Sequence, residues 1–385
     1  MADKKKAISG RDPKKLAIGA VALVVALLLP HYFVTDNAGV LPLFTVVLCA
    51  VYALFSLGLN IVVGFAGLLD LGYVAFFLVG AYVSAWFMSD FISSQNIHIL
   101  DTARAVIPGI HLTFWFVVIV AGIIAALVGV VIGAPTLRLK SDYLALVTLG
   151  FGEILPEVFR NAEKFTNGTK GIGPVDAVGM GPLAVLPGID KTITPSDYIA
   201  KYYVILIFCA LFVWISIKLR DGRLGRAWMA IREDELAASL MGVPLMQTKL
   251  WSYAVGAFAG GVGGAFYATI VGTVNVDSFT FSFSIIILCA VILGGMGNVW
   301  GAILGGVVIT WFNYTGLNWI GRKFNSAFGT KVDLVSYNFG FFGLVLVLMM
   351  LFRPEGFIPA ARSKAVKQAD KAADAAEALA EGAHP

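Results

Sequence analysis

Apolar windows of about 20 residues, the length a helix needs to cross a bilayer, recur along nearly the whole chain. They begin near Leu16, Leu41, Gly72, Leu112, Tyr143, Tyr202, Trp251, Phe281, Val299 and Tyr337. Segments of that kind satisfy their backbone polar groups internally, which is what a lipid environment demands. Composition decides the matter: 14% of the residues are charged, against about 25% in ordinary soluble domains. The expected fold is therefore an all-α polytopic membrane protein of about ten transmembrane helices embedded in a lipid bilayer, with some helices broken by glycine.

Residues 16–352 form the expected membrane domain, with a basic segment at 1–15 and a charged, Ala-rich tail at 353–385. The windows near Tyr143 and Phe281 are short or interrupted and fit re-entrant segments as well as full crossings. The first window follows basic residues, as in a signal peptide. It is longer than a usual signal core and has no obvious small-residue cleavage site, so it reads as an uncleaved span.

Basic residues set the orientation. With a cytoplasmic N-terminus and ten crossings, the inner segments hold 19 of the 28 Lys and Arg residues, as the positive-inside rule requires. Both termini are then cytoplasmic. The loop at 160–201 lies outside and is rich in Gly, Pro, Thr and Asn, which favours an irregular surface over helix. That loop either receives a partner or simply connects. The net charge of +4 points to no nucleic acid, because placement matters more than the sum in such a chain.

Between two of the spans lies a polar island at 218–250, KLRDGRLGRAWMAIREDELAASLMGVPLMQTK, with Arg232, Glu233, Asp234 and Glu235 in succession. A helix of this character is unsuited to hydrocarbon and suited to docking on a soluble partner. It is expected to be a cytoplasmic helix that couples the spans to such a partner.

Glycine supplies the next signal. There are 42 glycines, clustered at 64–72 (GFAGLLDLG), 256–267 (GAFAGGVGGAFY) and 294–306 (GGMGNVWGAILGG). The first and third share a G-x-x-G spacing, Gly64 with Gly67 and Gly294 with Gly297. Gly-interrupted spans in corresponding halves of a membrane protein point to a transport pathway. Gly72, Gly295 and Asn298 belong to the same two stretches, Tyr73 follows the first, and all four are candidate pathway or gating residues. In the middle cluster, Gly256, Gly260 and Gly264 recur every four residues on one face, the pattern of close helix packing.

Two carboxylates stand within these spans. Asp70 sits between Leu69 and Leu71, where it either gates the pathway or accepts the orphan amides of a helix starting next to it. Glu153 falls about ten residues into its window, roughly 15 Å deep at 1.5 Å per residue. Near Pro156 it either lines a cavity or pairs with a cation. Glu157 and Arg160 have the spacing of an ordinary pair on a helix surface.

The chain has no G-x-x-x-x-G-K-[ST] loop and no His, Cys and carboxylate grouping. It is expected to be no enzyme and to bind no metal or cofactor of its own. Cys49, Cys209 and Cys289 lie in apolar runs and read as small hydrophobes.

Seven stretches together carry a family resemblance: LNIVVGFAGLLDLGYVAFFLVGAY (59–82), SDYLALVTLGFGEI (141–154), TNGTKGI (166–172), GRAWMAIREDELAASLMGV (225–243), KLWSYAVGAFAGGVGGAFYA (249–268), GGMGNVWGAILGG (294–306) and LFRPEG (351–356). The chain resembles the permease subunits of ATP-binding-cassette importers, specifically the M-type permease of high-affinity branched-chain amino acid importers. The resemblance implies a bacterial inner-membrane permease that moves Leu, Ile or Val inward by alternating access. It implies as partners a homologous permease subunit, two cytoplasmic ATP-binding subunits that hold the ATP, and a periplasmic amino-acid-binding protein.

It also implies that Arg226, Arg232, Glu233, Asp234, Glu235 and Gly242 belong to the helix that meets the ATPase. The family pattern E-A-A followed three residues later by Gly reads here as Leu236, Ala237, Ala238 and Gly242, with Glu235 displaced by one position. Two alternatives remain at this level. One is an importer of the same build for urea, sugar or a short amide; the other is an ion-coupled transporter or channel using Asp70 and Glu153.

Overall fold

The computed structural model describes residues 28–30, 42–92, 97–99, 109–139, 141–178, 198–329, 334–353 and 355–359. Most of the first apolar window, the middle of the 160–201 loop and the tail beyond 359 lie outside the described residues. Every later window coincides with a helix: α1 (Leu43–Leu59), α2 (Val74–Phe87), α3 (Phe114–Thr136) and α4 (Ser141–Asn161) come first. A single turn, α5 (Glu163–Thr166), precedes α6 (Tyr198–Asp221). The polar island holds α7 (Arg223–Glu233) and α8 (Glu235–Leu240). Then follow α9 (Leu245–Val271), α10 (Phe281–Gly294), α11 (Val299–Trp311), α12 (Leu317–Phe328) and α13 (Asn338–Phe352).

Five segments are long and apolar enough to cross a bilayer: Leu43–Phe65, Phe114–Thr136, Tyr198–Asp221, Leu245–Val271 and Val276–Gly294. Two shorter apolar helices, Val74–Phe87 and Gly340–Phe352, accompany them. These lengths support a polytopic membrane protein and do not establish a count of ten.

The bundle is built around α1, α2 and α9. α9 lies mainly against α3 and α2, with α1 next. Lipid supplies no hydrophobic drive between helices, so close approach depends on small residues. A side chain at Gly260 would come within 3.0 Å of Phe76 Cβ, and one at Gly261 within 2.5 Å of Ala125 Cβ. Rings fill the space above: Phe77 stacks on Phe283 at 4.4 Å and meets Phe55 edge-on at 4.8 Å. By contrast Phe116, Ile119, Ile123, Leu127 and Val131 form an exposed stripe along α3. At helical spacing this is a lipid-facing surface.

At the end of the bundle remote from α7, three short strands depart from the all-helical expectation. β1 (Met88–Ser89) and β2 (Ile97–Ile99) flank β3 (Ile110–Leu112). They arise where the connection between α2 and α3 folds back on itself. His111 on β3 is fully buried, 2.5 Å from Asp176 and 3.2 Å from Asp90, which ties part of the 160–201 loop to the strands. Glu157 and Arg160 form the expected pair at 2.6 Å, and Arg160 also reaches Asp277 at 2.9 Å.

Candidate functional site

α1 is buried from Thr45 onward and passes directly into a π-helical turn, Asn60–Phe65. Such a turn loosens the regular ladder and turns backbone groups outward. Asn60, a lone amide in an apolar run, uses the opening to reach another segment: its Oδ1 accepts the Gly297 N–H at 2.8 Å. At Gly67 the chain enters the left-handed region, φ +70°, and reverses. Glycine is required there twice over, because a side chain would also lie 2.7 Å from Arg232 Cγ.

Three amides on the approach to α2 are met by side chains. Asp70 Oδ1 accepts the Gly72 amide at 2.9 Å, Thr148 Oγ1 on α4 accepts Leu71 N–H at 3.1 Å, and Ser284 Oγ on α10 accepts Val74 N–H at 3.0 Å. Asp70 is fully buried, and its Oδ2 makes no hydrogen bond among the described residues. The buried Tyr253 hydroxyl likewise has no hydrogen-bond partner among the described residues. Gly72 packs on the backbone of α4, with a side chain at Gly152 limited to 3.1 Å from the Gly72 Cα. Tyr73 is buried and donates to Gly256 O at 3.2 Å.

The second break ends α10 at Gly294 and restarts the helix at Val299. Gly295 and Gly297 both have positive φ, +116° and +83°. Asn298 caps α11 by accepting Trp300 N–H at 3.0 Å, and its Nδ2 donates to the carbonyls of Ile358 and Pro359 at 3.2 and 3.3 Å. Residues 355–359, at the start of the expected 353–385 tail, thus pack on the bundle. Phe357 and Ile358 donate backbone N–H groups to Leu293 and Gly294 at 2.8 and 3.0 Å, which docks the chain after LFRPEG against the second break.

Between the two breaks stands Arg232. Its Nη1 donates to the Gly64 carbonyl, its stem passes over Gly67, and its guanidinium lies beside Gly297. Much of the residue remains exposed. Partial desolvation still lowers its pKa, a shift that Glu233 opposes. Arg232 therefore reaches inward, whereas its place in the polar island suggested an outward contact.

The remaining residues of the island divide in the same way. α7 is anchored by Trp228, which is fully buried and donates Nε1 to Thr248 O at 2.7 Å. Arg226 is tied to the Asp221 carbonyl at 3.0 Å. The expected single helix is broken at Asp234, whose carboxylate accepts Ala237 N–H at 2.9 Å as the cap of α8. Glu235 pairs with Lys249 at 2.6 Å, Glu233 is exposed, and Gly242 ends the turn at φ +83°. What faces outward most is apolar: Leu236, Leu240 and Met241 are 71%, 80% and 84% exposed.

The structure thus gathers Gly64, Gly67, Gly297 and Arg232 at one point, with Asp70, Gly72 and Tyr73 along the adjoining turn. Glu153 is separate. It is exposed on α4 and has no ion-pair or hydrogen-bond partner among the described residues. Asn60, Thr148, Ser284, Tyr253, Trp228 and Lys249 join the site although the sequence did not single them out. Asn60 had a signal, a polar residue inside a span. So did Trp228, through the buried series Gly225, Trp228 and Ile231 on one face of α7. No group of three or more His, Cys or carboxylate residues able to hold a metal occurs among the described residues.

Residues 41–352 match the family described as the permease component of branched-chain amino acid transport systems. The high-affinity branched-chain amino acid transport system permease protein LivM of Escherichia coli K12 is 32% identical over 92% of this chain and 78% of its own length. The probable branched-chain amino acid transport permease protein LivM of Methanocaldococcus jannaschii is 25% identical, over 80% and 90%. The permease protein LivH of Escherichia coli K12 is 25% identical, over 81% and 92%. No solved structure matches the chain.

Proposed function

Because the chain belongs to the permease family of branched-chain amino acid transport systems, we propose that it is the membrane subunit through which Leu, Ile or Val enters the cytoplasm by alternating access. Two ATP-binding subunits on the α7–α8 side supply the energy, a homologous permease completes the pathway, and a periplasmic protein delivers the amino acid. The α7–α8 side and both termini are cytoplasmic in this reading, as the distribution of basic residues requires.

The single observation that carries the mechanism is the contact of Arg232 with Gly64. A residue of the polar island bonds directly to a carbonyl of the first break, so movement of α7 acts on the membrane segments without an intermediary. Docking is assigned to Leu236, Leu240 and Met241, an apolar edge suited to a groove on the ATPase. Glu233 at the rim sets register. Closure of the nucleotide-bound dimer shifts α7, withdraws Arg232 and lets the break between α1 and α2 rearrange. The two states differ by contacts, as any coupled transition must. Glu153, an exposed carboxylate on α4 with no partner among the described residues, is assigned to the pathway beside the second permease.

Arg232→Ala in the assembled importer, reconstituted in liposomes, tests this. Uptake per ATP hydrolysed falls by about tenfold, inside the usual span of coupling energies, while the complex still assembles. Arg232→Lys gives an intermediate value, since a lysine lacks the guanidinium fork. Unchanged uptake per ATP in Arg232→Ala removes Arg232 from the mechanism. Uphill uptake by this chain alone on an ion gradient overturns the whole assignment.

A further inference from the structure

On the other side of Arg232, the α7–α8 junction, the start of α9 and residues 66–68 enclose a cleft of about 120 Å³. An apolar cavity of roughly 150 Å³ is enough to hold a benzene-sized guest, and this cleft also opens to solvent. Its walls are of two kinds. Leu68, Leu139, Leu144 and Ile231 make an aliphatic side, and Arg232, Glu235 and Lys249 make a charged one.

The charged side is incompletely satisfied. Lys249 is 4% exposed, and its ammonium meets Glu235 alone among the described residues, although an ammonium has three donors. Arg232 has five donors and uses one, on Gly64 O, among those residues. Beside the aliphatic wall, Lys249 thus has one carboxylate partner and Arg232 one carbonyl among those residues. A carboxylate placed between Arg232 and Lys249 gains charge-assisted hydrogen bonds. An ammonium on the same molecule meets Glu235, which is half exposed, and a short branched side chain covers the leucines.

We propose that this cleft is a binding site for a free aliphatic α-amino acid reaching it from the cytoplasmic side, and that its occupation slows import. The inference rests on the function proposed above. It adds a second place for the transported solute, on the α7–α8 side of the first break, where accumulated product is sensed. A bound zwitterion bridges α7, α8 and α9 and holds Arg232 against the first break, so it stabilises the state in which α7 has not moved. An open cleft with few contacts gives millimolar affinity, suited to reading an internal pool and not to competing with delivery from outside.

The experiment uses the complete importer, purified without its binding protein, and radiolabelled L-leucine. L-Leucine binds saturably, whereas leucinol, lacking the carboxylate, and isocaproate, lacking the ammonium, compete at least about tenfold more weakly. Lys249→Gln and Leu139→Trp each weaken leucine binding by about the same factor. In proteoliposomes loaded with ATP and millimolar L-leucine, and supplied outside with the binding protein, initial uptake by the wild type slows several-fold, and uptake by Leu139→Trp does not.

Absence of saturable binding overturns the proposal. So does binding that both cleft variants leave intact, which would locate the leucine in the pathway. Uptake indifferent to internal leucine, or cross-linking of Lys249 to an acidic residue of the ATP-binding subunit in the resting complex, does the same. Vesicles that take up external leucine normally and ignore internal leucine disprove only the cleft. Vesicles that take up none disprove the transport reading, and the binding data then judge the cleft separately.

Discussion

The two glycine-rich breaks look alike in sequence and are held in different ways. The first, residues 60–73, is supported by side chains reaching in from other elements, Arg232 from α7 and Thr148 from α4, with Ser284 from α10 on the adjoining Val74. The second, residues 294–299, is supported largely by main-chain bonds from residues 357 and 358 and by the Asn298 cap. Side-chain supports can be exchanged singly as helices shift. A run of main-chain bonds gives way only when a segment peels off. In the proposed cycle the same G-x-x-G pattern would serve once as a joint and once as a fulcrum, and the Asn60 bond to Gly297 joins the two.

The largest effect is expected in the joint. Asp70→Ala leaves the buried Gly72 N–H without its acceptor, a cost of about 1–3 kcal/mol for a buried group, and frees the turn that starts α2. The yield of monodisperse complex after detergent extraction should drop sharply and its melting temperature should fall. Asp70→Asn retains an oxygen for Gly72 and should recover most of the yield. If Asp70→Asn assembles normally yet does not transport, the carboxylate charge itself gates the pathway. If Asp70→Ala is as stable as the wild type, the contrast between the breaks loses its main support.

A moderate effect is expected in the fulcrum. Asn298→Ala removes the cap of α11, worth about 0.5–2 kcal/mol, together with both contacts to the 357–359 segment. The melting temperature of the complex should fall while uptake per ATP stays at the wild-type value, because nothing in the second break has to move. A fall in uptake per ATP matching that of Arg232→Ala would show that both breaks flex.

What the sequence revealed, and what it hid, follows from the range of each interaction. The spans were legible because an apolar run of sufficient length needs no knowledge of its neighbours. The kinship of Gly64 and Gly67 with Gly294 and Gly297 was legible because the spacing is local. The direction of Arg232 was not: next to Glu233, Asp234 and Glu235 it looked like one of four surface charges, and only the placement of α7 over Gly67 turns it inward. The break of the island at Asp234 was foreseeable in principle, since Asp is a preferred cap. The docking of residues 357–359 on Gly294 was not, because main-chain pairing over that separation carries no side-chain signature. Thr148 and Ser284 were equally hidden, as hydroxyls in spans commonly bond within their own helix.

The smallest expected effect concerns the root of the lever, where α7 meets α9. Trp228 is fully buried against the first turns of α9 and makes one hydrogen bond, 2.7 Å to Thr248 O. Trp228→Phe keeps an aromatic ring in the site and removes that donor, a loss of about 0.5–1.5 kcal/mol. The melting temperature should decline slightly, with uptake and ATP hydrolysis unchanged at ordinary temperature. Arg232 lies one helical turn further along α7, so a rigid α7 transmits movement from the docking edge to Gly64 as long as its root holds. If Trp228→Phe instead lowers uptake per ATP while leaving the melting temperature alone, α7 bends at its base during the cycle, and the joint extends beyond residues 60–73 into the island itself.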